Sequence, residues 1–298
     1  MRDITFLGTS CGIPTKERNT YSVLLKFNKE NILIDCGEGT QIQLRKIDFS
    51  PSKVTRILIS HLHGDHILGL PGLIQTRLTS DNKKEIYIYG PKNTKKYLNN
   101  LLSMFLNKKE LQKIKIYEVN KGKIFENNDF TIMCEKLDHS IECLGYSIIE
   151  KDRRKINLNY TKKFGLINNP LLGDLQKGKK ITFKGHKITP NKATFLKKGK
   201  KITFVMDTKL CKSAINLAKN SDLLISESTF TKELKDKAIK FKHLTSEEAA
   251  YIAKKSKSKE LILTHFSQRY KTTDDIYKQA KKIFSKVKCA KDLDRIDF

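Results

Sequence analysis

The sequence is limited first by what it lacks. No apolar run approaches the length that would span a bilayer, and the opening Met1-Arg2-Asp3-Ile4-Thr5-Phe6 lacks the h-region of a signal peptide, so a cytosolic protein with no membrane contact is expected. No C-x-x-C pair occurs among Cys11, Cys36, Cys134, Cys143, Cys211 and Cys289. Most lie in apolar contexts, which predicts buried free thiols and argues against disulfides or a zinc ribbon. Acidic residues are scarce: 32 Asp and Glu face 59 Lys and Arg, a net charge of +27. That excess is beyond what solubility requires and points to a polyanionic partner. Tryptophan is absent, as A/T-rich coding would give, and such coding also favours Lys. The distribution separates the two explanations. From Lys151 to Lys201 there are sixteen basic residues and two acidic ones (Asp152 and Asp174), so +14 of the +27 is concentrated in about a sixth of the chain. A coding bias would spread the charge more evenly. The 298 residues, with short and evenly spread apolar runs, favour one large α/β domain, residues 1–298.

Histidine is concentrated too. Three of the seven fall in Ser60-His61-Leu62-His63-Gly64-Asp65-His66, an H-x-H-x-D-H turn after the apolar run Val54 to Ile59, which reads as a buried strand. Three imidazoles and a carboxylate there need polar partners once removed from water, and a metal ion satisfies all four. A tight turn with Gly64 relieving the backbone lets the side chains converge from both sides.

The chain before this turn reads as the strand Arg2 to Leu7, an irregular Gly- and Pro-containing loop, and a hairpin of Tyr21 to Phe27 with Asn31 to Ile34. A helix from about Thr40 to Ile47 follows. Asp35, at the end of the hairpin, is placed to fix the tautomer of a His ligand through its second ring nitrogen, although an ordinary turn Asp reads the same way. After the turn come a helix opened by Pro71, a helix from about Asn93 to Leu106, and strands at Glu85 to Tyr89, Ile114 to Val119 and Phe130 to Glu135.

Three further strand ends carry candidate ligands: His139 in Asp138-His139-Ser140, Asp207 after Lys201 to Met206, and His265 after Ile262 to Thr264. Together they make a two-metal centre coherent. His61, His63 and His139 take one ion, Asp65, His66 and His265 the other, and Asp207 bridges them. The position left open for water marks a catalytic site and not a structural one. Two zinc ions per chain fit this donor set, with hydrolysis at phosphorus or carbon as the chemistry. His243 lies beside a capping box of Thr245 and Glu248 that starts a helix reaching about Lys255. Held by Glu227, at the end of the strand Leu223 to Glu227, it reads as a general acid. An exposed loop histidine is the plain alternative. His186, in the basic stretch, receives no role.

At this point the chain resembles the metallo-β-lactamase superfamily and, within it, the short form of the ribonuclease Z family, endonucleases that mature tRNA 3′ ends. The resemblance spans nearly the whole chain. It rests on the H-x-H-x-D-H turn with the later His, Asp and His, on Pro14-Thr15-Lys16-Glu17-Arg18-Asn19 as the family's P-x-K-x-R-N loop, and on Asp35-Cys36-Gly37-Glu38-Gly39-Thr40-Gln41. Leu70-Pro71-Gly72-Leu73, Asp138-His139-Ser140 with Gly145-Tyr146, and His265-Phe266-Ser267-Gln268-Arg269-Tyr270 add to it.

The resemblance implies an αββα sandwich of two mixed sheets flanked by helices, a basic protruding arm at 151–201 that clamps the tRNA body, and a homodimer. It also implies that Pro14, Lys16, Arg18 and Asn19 recognise the acceptor end, with Asp65, His243 and Glu227 as the catalytic set acting on precursor tRNA after the discriminator base. The chain departs from the family at Ser226-Glu227-Ser228-Thr229, where the usual motif is His-Glu-Ala-Thr, at the reduced Gly-Pro tip of the arm, and at Met206, where a Gly often precedes the Asp. Two other readings remain at this level. A hydrolase of small phosphodiesters or sulfate esters needs neither loop nor arm, and a zinc-stabilised RNA-binding protein needs a closed metal site.

Overall fold

The computed structural model describes residues 2–80 and 84–298. Two seven-stranded mixed sheets pack face to face. The first runs Arg295–Asp297, Arg2–Gly8, Ser22–Phe27, Glu30–Ile34, Arg56–Leu58, Ile86–Gly90 and Ile114–Glu118. The second runs Val287–Cys289, Glu260–Thr264, Leu223–Glu227, Lys201–Val205, Cys143–Glu150, Phe130–Leu137 and Gly122–Glu126. The strand patterns explain the layering. In Ser22–Phe27, Val23 and Leu25 point between the sheets while Leu24 points outward, and all three are fully buried. A strand apolar on both faces needs cover on both.

The inner layer joins Ile4, Phe6, Val23 and Leu25 to Ile132, Tyr146, Phe204 and Ile225. Outside the first sheet, helices Leu70–Thr79 and Thr94–Ser103 set Leu73, Ile74, Leu98 and Leu102 on Leu24, Leu33, Ile57 and Ile88. Outside the second, Ser246–Lys255 and Asp274–Ile283 set Ala249, Ala250, Ile252 and Ile276 on Val205, Leu224 and Leu263. Each fully buried Leu, Ile or Phe contributes roughly 1.5–3 kcal/mol. The expected αββα sandwich is therefore what the sequence builds.

Local differences have simple causes. The hairpin turns across Asn28 and Lys29 alone, since Asn28 takes a left-handed φ of 56° and Phe27 pairs directly with Glu30. The strand expected over Val54 to Ile59 is only Arg56–Leu58. The histidine stretch is not a turn relieved by Gly64: Gly64 begins a one-turn helix, Gly64–Ile67, with His63 in extended conformation as its N-cap. That sends His61 and His63 out before the helix, and Asp65 and His66 from it. The capping box at Thr245 and Glu248 is formed on both sides.

Residues 153–197 leave the second sheet between Cys143–Glu150 and Lys201–Val205. Arg153–Ile156 pairs antiparallel with Thr194–Lys197, and a hairpin joins Ile181–Phe183 to His186–Ile188. Leu166, Leu175, Ile181, Ile188 and Ala193 give this segment a small core of its own. All six cysteines are free. Among the described residues, no helix is long and apolar enough to cross a membrane.

Candidate metal centre

The candidate ligands converge from strand ends of both sheets. His61, His63, Asp65 and His66 follow Arg56–Leu58 of the first sheet. His139, Asp207 and His265 follow Phe130–Leu137, Lys201–Val205 and Glu260–Thr264 of the second. Lys201–Val205, Leu223–Glu227 and Glu260–Thr264 are parallel, so Asp207, Glu227 and His265 emerge at the same edge.

Among the described residues, three overlapping donor groups form there: His61, His63, His139 and Asp207; Asp65, His66 and His265; and Asp207, His243 and His265, so that Asp207 reaches towards both halves of the site. In the first, His61 Nε2 and His63 Nδ1 are 2.9 Å apart, His139 Nε2 is 3.3 Å from His63 Nδ1, and Asp207 Oδ2 lies 3.5 Å from His61 Nε2 and 3.8 Å from His139 Nε2. In the second, His66 Nε2 is 3.2 Å from His265 Nε2 and 3.3 Å from Asp65 Oδ2, while Asp207 Oδ1 is 3.4 Å from His265 Nε2. Ligands at about 2.1 Å from a tetrahedral zinc stand about 3.4 Å from one another. The two oxygens of Asp207 thus face different groups, and Oδ1 is buried with no hydrogen-bond partner.

In four of the five candidate histidine ligands the second ring nitrogen is already engaged. His66 Nδ1 lies 2.8 Å from Asp35 Oδ2, and His139 Nδ1 lies 3.0 Å from the Lys242 carbonyl. His61 Nδ1 is 3.0 Å from Ser60 Oγ, and His265 Nδ1 is 3.2 Å from Thr229 Oγ1. Asp35, fully buried at a left-handed φ of 57°, also accepts the Ser60 amide at 2.6 Å and hydroxyl at 2.7 Å. With Nδ1 fixed in this way, the Nε2 lone pairs point at one another, an arrangement that a cation stabilises and an apolar core would not.

Charge makes the same case. Burial alone would raise Asp65 and Asp207, yet neighbouring imidazoles hold both far below the usual carboxylate range. Burial pulls His66 and His265 down, but Asp65, Asp35 and Asp207 outweigh it at His66, and Asp207 leads at His265, so both rise well above an ordinary histidine. His61 goes the other way, driven low by burial and by His66. A cation at the paired groups would replace the protons that His66 and His265 otherwise hold. The donor set and its geometry fit bound metal.

Beside this centre, His243 Nδ1 is 3.1 Å from Glu227 Oε1. Burial opposes its charge, but Glu227 and Asp207 outweigh burial and push it up to about 9. Glu227 is fully buried; it also accepts the Thr208 amide at 2.8 Å and the Thr229 hydroxyl at 2.6 Å. Its carboxylate is satisfied without a histidine at position 226, where the Ser226 hydroxyl turns to the Glu227 carbonyl at 3.0 Å.

Over 300 aligned residues the chain is 39% identical to ribonuclease Z of Picosynechococcus sp., covering 97% of this chain and 94% of that protein. The chain belongs to the ribonuclease Z family. Among solved structures it is similar to human tRNase Z, short form, with 28% identity and a TM-score of 0.72 over 99% of this chain and 98% of that one. The Bacillus subtilis metallo-β-lactamase fold protein YhfI, 22% identical, superposes with a TM-score of 0.73 over 100% and 99% of the two chains, a likeness of fold. Residues 2–169 also match the family model described as anti-Pycsar protein Apyc1, which stops short of Asp207, His243 and His265.

The loop holding Pro14 to Asn19 follows Gly12, which touches Asp65 of the centre. Pro14 and Lys16 are exposed, whereas Arg18 and Asn19 are half-buried and hold the loop in place. Arg18 reaches the Tyr270 carbonyl, and its guanidinium lies over the Phe266 ring at 5.8 Å from the centroid. The Asn19 side chain donates to the Glu38 carbonyl at 2.7 Å, and its backbone amide donates to Asp292 at 2.7 Å. Its side chain also occupies the space a Cβ on Gly39 would need, 2.8 Å away, and Gly39 takes a φ of +77°. Sequence reasoning missed three contacts. The Gly12 amide donates to Asp65 Oδ2 at 2.8 Å, Thr229 joins Glu227 to His265, and Lys242 accepts from His139 through its backbone. Two of these contacts use backbone atoms, which any residue supplies, so only Thr229 left a mark in the sequence, as the last residue of the altered His-Glu-Ala-Thr motif.

Proposed function

We propose that this protein is a zinc-dependent endoribonuclease that cleaves precursor tRNA just after the discriminator base, leaving a 3′-OH on the tRNA and a 5′-phosphate on the trailer. The observation that carries this reading is the overlapping donor set around Asp207, in a chain related to ribonuclease Z proteins over nearly its full length. His61, His63, His139 and Asp207 would hold one zinc ion, and Asp65, His66, His265 and Asp207 the other. Bound there, the two ions supply a water acidic enough to ionise near neutral pH and positive charge for the phosphate.

The protein's own groups do the rest. Asp35 fixes His66 through Nδ1, and Asp65, held by the Gly12 amide, orients the nucleophile for in-line attack. His243 commits Nδ1–H to Glu227, which leaves Nε2–H to protonate the departing 3′ oxygen. Pro14, Lys16, Arg18 and Asn19 receive the acceptor end. The basic residues of 151–201 bind phosphates along the tRNA body without reading bases, recognising it by shape. By the same family likeness the protein acts in the cytoplasm as a homodimer, which light scattering on the purified protein tests.

The deciding assay incubates the zinc-loaded protein with a precursor tRNA carrying a 3′ trailer and maps both product ends. Cleavage after the discriminator base that a chelator abolishes and zinc restores is expected. Hydrolysis of small phosphodiesters with no cut in the precursor would overturn the reading.

His243→Ala supplies a sharper test of the proton donor. An RNA 3′ oxygen leaves as a poor alkoxide, whereas p-nitrophenolate leaves without protonation. The variant is expected to lose about 10²–10³-fold on precursor tRNA and less than about threefold on bis(p-nitrophenyl) phosphate. Equal losses on both substrates would remove His243 from the acid role.

A further inference from the structure

Three loops at the centre meet at a small ionic cluster that the catalytic roles above do not use. Asp138 Oδ1 is 3.0 Å from Lys242 Nζ, and Asp138 Oδ2 is 3.0 Å from Lys209 Nζ. Lys242 Nζ also donates to the His139 carbonyl at 3.1 Å. The backbone of each loop takes part as well. The Lys242 carbonyl accepts from His139 Nδ1, the Lys209 amide donates to the Asp138 carbonyl at 3.0 Å, and the Asp138 amide donates to Thr208 Oγ1 at 3.0 Å. The loops so joined carry His139, Asp207 and His243.

The backbone of Lys242 also matters. It caps the helix Lys235–Phe241 in the left-handed conformation, φ 53° and ψ 52°, a position at which glycine is the unstrained residue. The Lys242 ammonium and carbonyl grip the same neighbour, Asp138-His139, from two sides. We propose that Lys242 is a positioning residue for the metal ligand His139, with Asp138 as its partner. The ammonium fixes the backbone of His139 while the carbonyl fixes its ring, so the imidazole meets the ion in one orientation. This inference rests on the two-metal reading of the site.

The ion pair itself is too exposed to stabilise the fold appreciably, since both side chains are more than a third exposed. Removing the ammonium should therefore affect the site and not the fold, and the backbone separates the two effects further. Lys242→Gly keeps the carbonyl and relieves the left-handed strain, so melting of the metal-free protein is expected at an unchanged or higher temperature. Metal affinity should nevertheless fall about tenfold in competition with a chelator, the scale typical of groups that orient metal ligands. The visible spectrum of the cobalt-substituted protein should change with it.

Asp138→Asn should reproduce the loss, the double variant should add little to either single one, and Lys242→Arg should restore most of the affinity. Unchanged affinity and spectrum in Lys242→Gly, or a fall in melting temperature accounting for the loss, would overturn the proposal. Failure of the unaltered protein to bind two metal ions would instead refute the two-metal reading on which it rests.

Discussion

Asp65→Ala is expected to reduce cleavage of precursor tRNA by about 10³-fold or more while leaving tRNA affinity within about threefold. The argument is local. Asp65 Oδ2 is 3.3 Å from His66 Nε2, 3.5 Å from His265 Nε2, and accepts the Gly12 amide at 2.8 Å. One oxygen thus serves the second donor group and anchors, through Gly12, the start of the loop proposed to receive the acceptor end. Alanine removes both functions by deleting the carboxylate alone. The phosphate contacts proposed for tRNA lie in the basic segment, away from this carboxylate. Single-turnover cleavage and filter binding on the same metal-analysed preparation check the two halves. Retained cleavage would remove Asp65 from the site.

The second large effect concerns the basic segment. Replacing residues 153–197 with a short linker is expected to lower precursor-tRNA processing by more than about 100-fold, with hydrolysis of bis(p-nitrophenyl) phosphate changed by less than about threefold. The fold permits the deletion. Asp152 and Lys198 form an ion pair at 2.7 Å, and Asp152 also accepts the Gly199 amide at 2.8 Å, so the two cut ends already lie side by side. The segment also buries its apolar residues in its own cluster, so its removal leaves no hole in the sandwich. The remaining activity of the intact protein on tRNA should fall steeply with salt, and that slope should flatten in the deletion. Equal losses on both substrates would show that the segment supports the fold and not the substrate.

Much of this site was legible in the sequence because its chemistry lies in side chains at strand ends. His61, His63, His66, His139, Asp207 and His265 each follow a short apolar run, and polar groups in that position need a common explanation. A large α/β domain was legible in the short, evenly spread apolar runs, whereas the αββα sandwich was legible only through the family resemblance. Other features were not readable. Arg295–Asp297 pairs with Arg2–Gly8 across almost the whole chain, and no local pattern in three residues announces so distant a partner. The helix Gly64–Ile67 is a single turn, too short for periodicity to show. The amide of Gly12 and the carbonyl of Lys242 are atoms every residue has, so composition and spacing do not record their contacts with Asp65 and His139.

The division of the ligands between the two sheets has a consequence for how the molecule opens. Four come from the first sheet and three from the second, so bound ions would act as rivets across one edge of the sandwich. Separating the sheets would then require releasing metal, and the most protected amides should be those flanking the site: Ile59, whose N–H meets the Tyr89 carbonyl, and Leu144, whose N–H meets the Ser60 carbonyl. Stripping the metal should speed hydrogen exchange at these amides on both sheets together, while amides in the cluster around Leu166 and Ile188 keep their own rate.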